Sequence, residues 1–140
     1  AKAHIMDISA WVLSRIEIDK RNEFEDLTSQ LEDRAGTSFD FASVNDFLEK
    51  LTQREFSEVY RVKLFIGSDE KTKNIVAAMI EQAAEKKGVN IPRWLLDITP
   101  LDEPSFATDI KNLKDYLLLA SPIAFRRRNL FVDSSIGARV

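Results

Sequence analysis

The chain has no cysteine, one histidine, four glycines and four prolines in 140 residues. Without a thiol there is no disulfide staple, thiolate zinc site, cysteine nucleophile or dithiol redox chemistry. With His4 as the sole imidazole a multi-histidine metal site is excluded, and its place near the start of the chain, where helices fray, speaks against a histidine-dependent triad. So little glycine and proline excludes collagen-like and linker-dominated chains. Long apolar runs are also missing, and none approaches the roughly 20 residues of a membrane-spanning helix. The first residues, Ala1-Lys2-Ala3-His4-Ile5-Met6, lack the charged start, apolar centre and cleavage site of a secretory signal. The expectation is a cytoplasmic, non-enzymatic protein with no cofactor, no metal and no membrane contact.

What is present is a normal core-forming composition, 44% apolar and 31% charged. That supports one compact core, or one core with an appended segment. The net charge is −3, unevenly spread, because residues 121–140 hold Arg126, Arg127, Arg128 and Arg139 against Asp133 alone. An acidic body argues against nucleic acid as a partner.

Residues 1–59 read as a helical extension. Ile5, Ile8, Val12 and Ile16 recur at helical spacing, although Ile16-Glu17-Ile18 also alternates like a strand. Phe24, Leu27, Leu31 and Ala35 form a second stripe that Gly36 stops, with Glu23, Glu25, Asp26, Glu32 and Asp33 on a solvated face. Ser43 is placed to cap a third helix whose apolar face is Val44, Phe47, Leu48 and Leu51. The two later stripes can serve an intramolecular core or a two-fold interface between copies.

Residues 60–140 read as a separate α/β domain. Residues 62–66 form a short, partly β-branched run that predicts a strand. Ser68 or Asp69 then caps a helix with Glu70 in its first turn, Lys86 and Lys87 in its last, and Gly88 after it, matching the helix dipole at both ends. Residues 94–99 predict a second strand and Pro104 the first turn of another helix, with Phe106, Ile110, Leu113 and Leu117 on one face. Ser121-Pro122 breaks the helical pattern, and residues 129–132 predict a last strand. Strands alternating with helices imply a parallel sheet.

The order of these motifs resembles the KaiB family, thioredoxin-like proteins of the circadian clock. Tyr60-Arg61-Val62-Lys63-Leu64-Phe65-Ile66-Gly67 is similar to that family's opening Y-x-L-x-L-Y-V-A-G strand, and Leu96-Asp97-Ile98 to its V-I-D-V strand. Pro100-Leu101-Asp102-Glu103-Pro104 falls where its K-N-P segment lies, and Leu119-Ala120-Ser121-Pro122 is similar to its A-T-P. Arg126-Arg127-Arg128-Asn129-Leu130-Phe131-Val132-Asp133-Ser134 is similar to its R-R/K-I-I-G-D-L-S ending. The family's proline run before the arginines is absent, and Val132 stands in place of its glycine. The resemblance covers residues 60–139 and leaves 1–59 without a counterpart. It implies a thioredoxin-like fold with a cis bond before Pro122, which makes Pro122 a fold determinant. It also implies docking on a KaiC-like ATPase or a signalling kinase, with Arg126, Arg127, Arg128 and Asp133 against the partner.

The residues themselves allow plainer readings. The three arginines suit an acidic partner surface, or simply keep an edge strand solvated. Asp97, Asp102 and Glu103 make three acids in seven residues, a density expected by chance at this charge content. Trp94 reads as a core or interface aromatic. The alternative function is a structural or oligomerising domain of a larger regulator with no clock partner.

Overall fold

Helices dominate residues 18–29, 41–106, 117, 118 and 120–132, the parts of the chain that the computed structural model describes. Helix α1 spans residues 18–29, α2 Phe41–Lys50, α3 Gln53–Val59 and α4 Glu70–Lys87. A 3₁₀ helix, Arg93–Asp97, follows α4. Then come β1 (Ser105–Phe106), the helical residues 117, 118 and 120 (α5), α6 (Ile123–Arg126) and β2 (Leu130–Phe131).

Local chemistry sets several of these boundaries. Asp69 is extended and its carboxylate accepts the Thr72 N–H at 3.0 Å, which starts α4. Burial raises the Asp69 pKa, but hydrogen bonds from Thr72 and the nearby Lys71 charge outweigh it and hold the net value low. Gly88 ends α4 in the left-handed region at φ 70°, where a side chain would be strained. The expected start and stop of this helix are therefore both found. Helix α2 begins at Phe41, so Ser43 lies inside it and is not its cap. Thr52 and Glu55 form a reciprocal capping box on α3: the Thr52 hydroxyl accepts the Glu55 N–H at 3.1 Å, and Glu55 accepts the Thr52 N–H at 3.0 Å. That second bond, with Lys20 at 3.2 Å, lowers the Glu55 pKa.

One hydrophobic cluster crosses residue 60. It joins Phe24, Leu48 and Phe56 to Val76, Ile80 and Phe125. Phe24, Val44, Leu48 and Leu51 are buried within the chain, and Leu27 and Phe47 pack partly against the same cluster. The intramolecular reading of these stripes is therefore the one realised. Leu31, Ala35 and the stripe from Ile5 to Ile16 lie outside the described residues. Lys87 ties the two halves from the surface, donating to the carbonyls of Glu49 (3.4 Å) and Leu51 (2.6 Å) at the end of α2.

The α/β, thioredoxin-like architecture is not formed. Residues 62–66 form no strand: Val62 lies in a bend and residues 63–66 have no regular structure, with Leu64 and Ile66 buried and Phe65 exposed. The reason is α1. Glu25 accepts the Phe65 N–H at 3.0 Å, the Thr28 hydroxyl donates to the Phe65 carbonyl at 3.3 Å, and Arg21 donates to the Lys63 carbonyl at 3.4 Å. Side chains of a helix thus fill the hydrogen-bonding edge that a neighbouring strand needs. Residues 94–98 are not a strand either. The Pro92 carbonyl accepts the Leu95 N–H at 3.2 Å and the Leu95 carbonyl accepts the Ile98 N–H at 3.3 Å, which winds this stretch into the 3₁₀ helix. Pro104 precedes a strand, not a helix. The one pairing among the described residues is parallel and two residues long, Ser105 with Leu130 and Phe106 with Phe131. The Ser121–Pro122 bond is trans. The clock and thioredoxin-like character that the KaiB resemblance implied loses the fold on which it rested. No helix among the described residues is long and apolar enough to cross a membrane.

Tyr60 lies in this core, edge-on to Phe24 with ring centroids 5.3 Å apart, and 4.8 Å from Phe56. Its hydroxyl is buried with no hydrogen-bond partner, and burial raises its pKa well above the usual phenol value. Two results follow. Tyr60→Phe removes an unsatisfied polar group while keeping the ring, so its thermal midpoint should equal or exceed that of the parent. A phenol whose folded pKa is raised loses stability as pH climbs past its unfolded value of about 10. Wild-type stability should fall more steeply than the variant's between about pH 10 and 11 in urea titrations. A clear loss of stability in Tyr60→Phe at pH 7 means that the hydroxyl has a partner after all.

Candidate functional site

The three arginines separate on folding. Pro122, with φ −58° and ψ 147°, heads α6, and its carbonyl accepts the N–H groups of Phe125 and Arg126 at 3.0 Å. Ala124 and Phe125 pack inward against α4. Arg126 is left on the exposed side, Arg127 lies over α4, and Arg128 turns into the protein. Asn129 then takes a positive φ of 62°, which asparagine tolerates better than most residues, and leads into β2.

Arg127 pairs with Glu81 and stands 3.9 Å from Glu85. Arg128 is only 5% exposed. It donates to Asn74 Oδ1 at 3.2 Å and the Leu95 carbonyl at 3.0 Å, and lies 3.9 Å from Glu81. Asn74, also buried, donates to the Glu70 and Thr99 carbonyls at 2.8 and 3.0 Å. Burial lowers the Arg128 pKa, Glu81 pulls it back up, and Arg127 lowers it further. This network binds α4, the 3₁₀ helix and the α6 turn together. It takes Arg128 away from any partner surface and commits Arg127 largely to α4. Of the residues expected to meet a partner, Arg126 alone is exposed without a described ion pair, and Asp133 lies outside the described residues.

Other sequence candidates are structural or scattered. Trp94 donates its indole N–H to the Tyr60 carbonyl at 2.8 Å and packs on the core. Asp97, Asp102 and Glu103 are exposed, and the described residues hold no group of three or more metal-ligating side chains. Pro122 and the buried Ser121 anchor the chain locally, since the Ser121 hydroxyl accepts the Val132 N–H at 2.9 Å.

The larger open feature is a groove of about 610 Å³ between α1 and α2. Asp19, Glu23 and Asp26 line it from one face of α1, at spacings of four and three. Asp46 and Lys50 line it from one face of α2. Leu27 and Phe47 form its half-buried floor, above a Phe24–Phe47 contact with ring centroids 5.2 Å apart. Four carboxylates thus face two lysines, and one of these, Lys20, is drawn to Glu55. Sequence reading placed Glu23 and Asp26 on a solvated face. The available signal was that Asp19, Glu23 and Asp26 share one helical face beside Leu27, but only packing sets α2 opposite it. A second groove, about 500 Å³, runs between residues 63–68 and the 3₁₀ helix. It mixes Lys63 and Lys73 with Glu70 and Asp97, so it carries no charge of one sign.

Among known proteins, no family model matches the chain, and neither a curated protein nor a solved structure is similar to it.

Proposed function

We propose that this chain is a non-enzymatic interaction module that docks on a protein partner through the α1–α2 groove and regulates it. The observation that carries the reading is the groove itself: an apolar floor of Leu27 and Phe47 between two charged helix faces. An apolar centre with a polar rim is the usual anatomy of a protein-binding patch. The partner is defined by this surface and not by ancestry, because the thioredoxin-like fold that pointed to a clock ATPase is absent.

A photo-crosslinking residue at Asn22, which lines the groove, tests this in cells. A second probe at the exposed Glu58 on α3, away from the groove, is the control. A protein joined from position 22 and not from 58, whose activity changes when this chain is added, supports the reading. The same products from both positions sink it. The alternative, an oligomerising domain, draws on Leu96 and Ile123, which are 67% and 62% exposed. It predicts crosslinks between copies only, and a mass above one chain in light scattering.

A further inference from the structure

Resting on that reading, we infer that the occupant of the α1–α2 groove is a basic amphipathic helix of the partner. The walls are two helix faces, and a third helix can lay its own ridge of side chains between them. The apolar floor is narrow, made of the half-buried Leu27 and Phe47 with the buried Leu51 beside them. It suits a single stripe of apolar residues three and four apart, not a broad hydrophobic surface. Asp19, Glu23 and Asp26 rise on one side, and Asp46 and Lys50 on the other. These carboxylates select for lysine or arginine flanking the stripe and repel an acidic segment. The same charges disfavour a second copy of this chain, which would set carboxylate against carboxylate. Lys20 is drawn to Glu55 at 3.2 Å, which leaves Lys50 as the one lysine set against four carboxylates of the lining.

The probe is a synthetic helical peptide with leucine at positions three and four apart and lysine elsewhere, labelled for fluorescence anisotropy on the full chain. Its controls are a scrambled peptide of the same composition and one with glutamate in place of lysine. The patterned basic peptide should bind at least tenfold more tightly than either. The triple change Asp19→Asn, Glu23→Gln and Asp26→Asn should weaken it at least tenfold and flatten its salt dependence, while circular dichroism shows the fold retained. Leu27→Ala tests the floor separately and should weaken binding with the salt dependence unchanged. Equal binding of the scrambled peptide, unchanged affinity in the triple variant, or no binding of the basic peptide overturns the inference. Peptide binding that merely competes with self-association would make a second copy the occupant and overturn it too. A non-basic partner crosslinked at position 22 refutes this inference and leaves the docking role standing.

Discussion

Replacing Glu81 by leucine should cost about 3–5 kcal/mol of folding stability, the scale for breaking a buried ion pair by removing one partner. The Glu81 carboxylate is 2% exposed and answers both Arg127 and Arg128. Without it, the Arg128 guanidinium stays buried with only the neutral oxygens of Asn74 and Leu95 to receive it. Its Nε has no partner even in the intact protein, so little spare hydrogen bonding can absorb the loss. Removing both charges, as Glu81→Leu with Arg128→Met, should recover a large part of the deficit, because two apolar groups of similar volume can replace a buried pair at little cost. Urea melts of the two single variants and the double variant measure this coupling. Singles that lose less than about 1 kcal/mol, or losses that simply add, would show that the network is not buried as described. Replacing Arg126, Arg127 and Arg128 together would therefore disturb the core as well as the surface, and Arg126→Ala alone isolates the exposed position.

Phe24→Ala should be of similar size, about 3–5 kcal/mol for a large aromatic lost from a packed site. That is roughly 10–17 °C in the thermal midpoint of a domain this long. Phe24 lies in the segment that reads from sequence as an extension, yet it is fully buried against Phe47 and Tyr60. Its loss should shift one cooperative transition for the whole chain, read alike by far-ultraviolet circular dichroism and, with Trp11→Phe removing the other tryptophan, by Trp94 fluorescence. Trp94 is a fair reporter because its indole is hydrogen-bonded to the Tyr60 carbonyl. Two separate transitions, with only the first shifted, would mean that residues 1–59 and 60–140 melt independently.

Helix α4 was legible in the sequence because every signal for it is local: Asp69 bonds to Thr72 three residues on, and Gly88 takes its left-handed turn within the same stretch. The capping box of Thr52 and Glu55 was equally local and was available to be read. Residues 62–66 read as a strand and are not one, although Leu64 and Ile66 do alternate with Phe65 between core and solvent. What pairs with such a segment is not local. Glu25 and Thr28, about forty residues away in sequence, occupy the backbone edge of Phe65 that a strand was expected to take. The arginine run was legible as charge and not as location. A turn of helix points three consecutive residues in different directions, so the packing of Phe125 against α4 sends Arg126 to solvent and Arg128 to Glu81.

By itself the sequence determined the excluded thiol and multi-histidine chemistry, the apolar faces that had to be buried, and the ends of α4. These depend on residue identity and on spacing within a turn or two. Only the tertiary structure decided that one core spans residue 60, that a helix replaces a sheet neighbour, and that the acidic face of α1 meets α2 across a groove. Each of those joins groups far apart in the chain, and their partners are selected by burial and hydrogen bonding in the folded state.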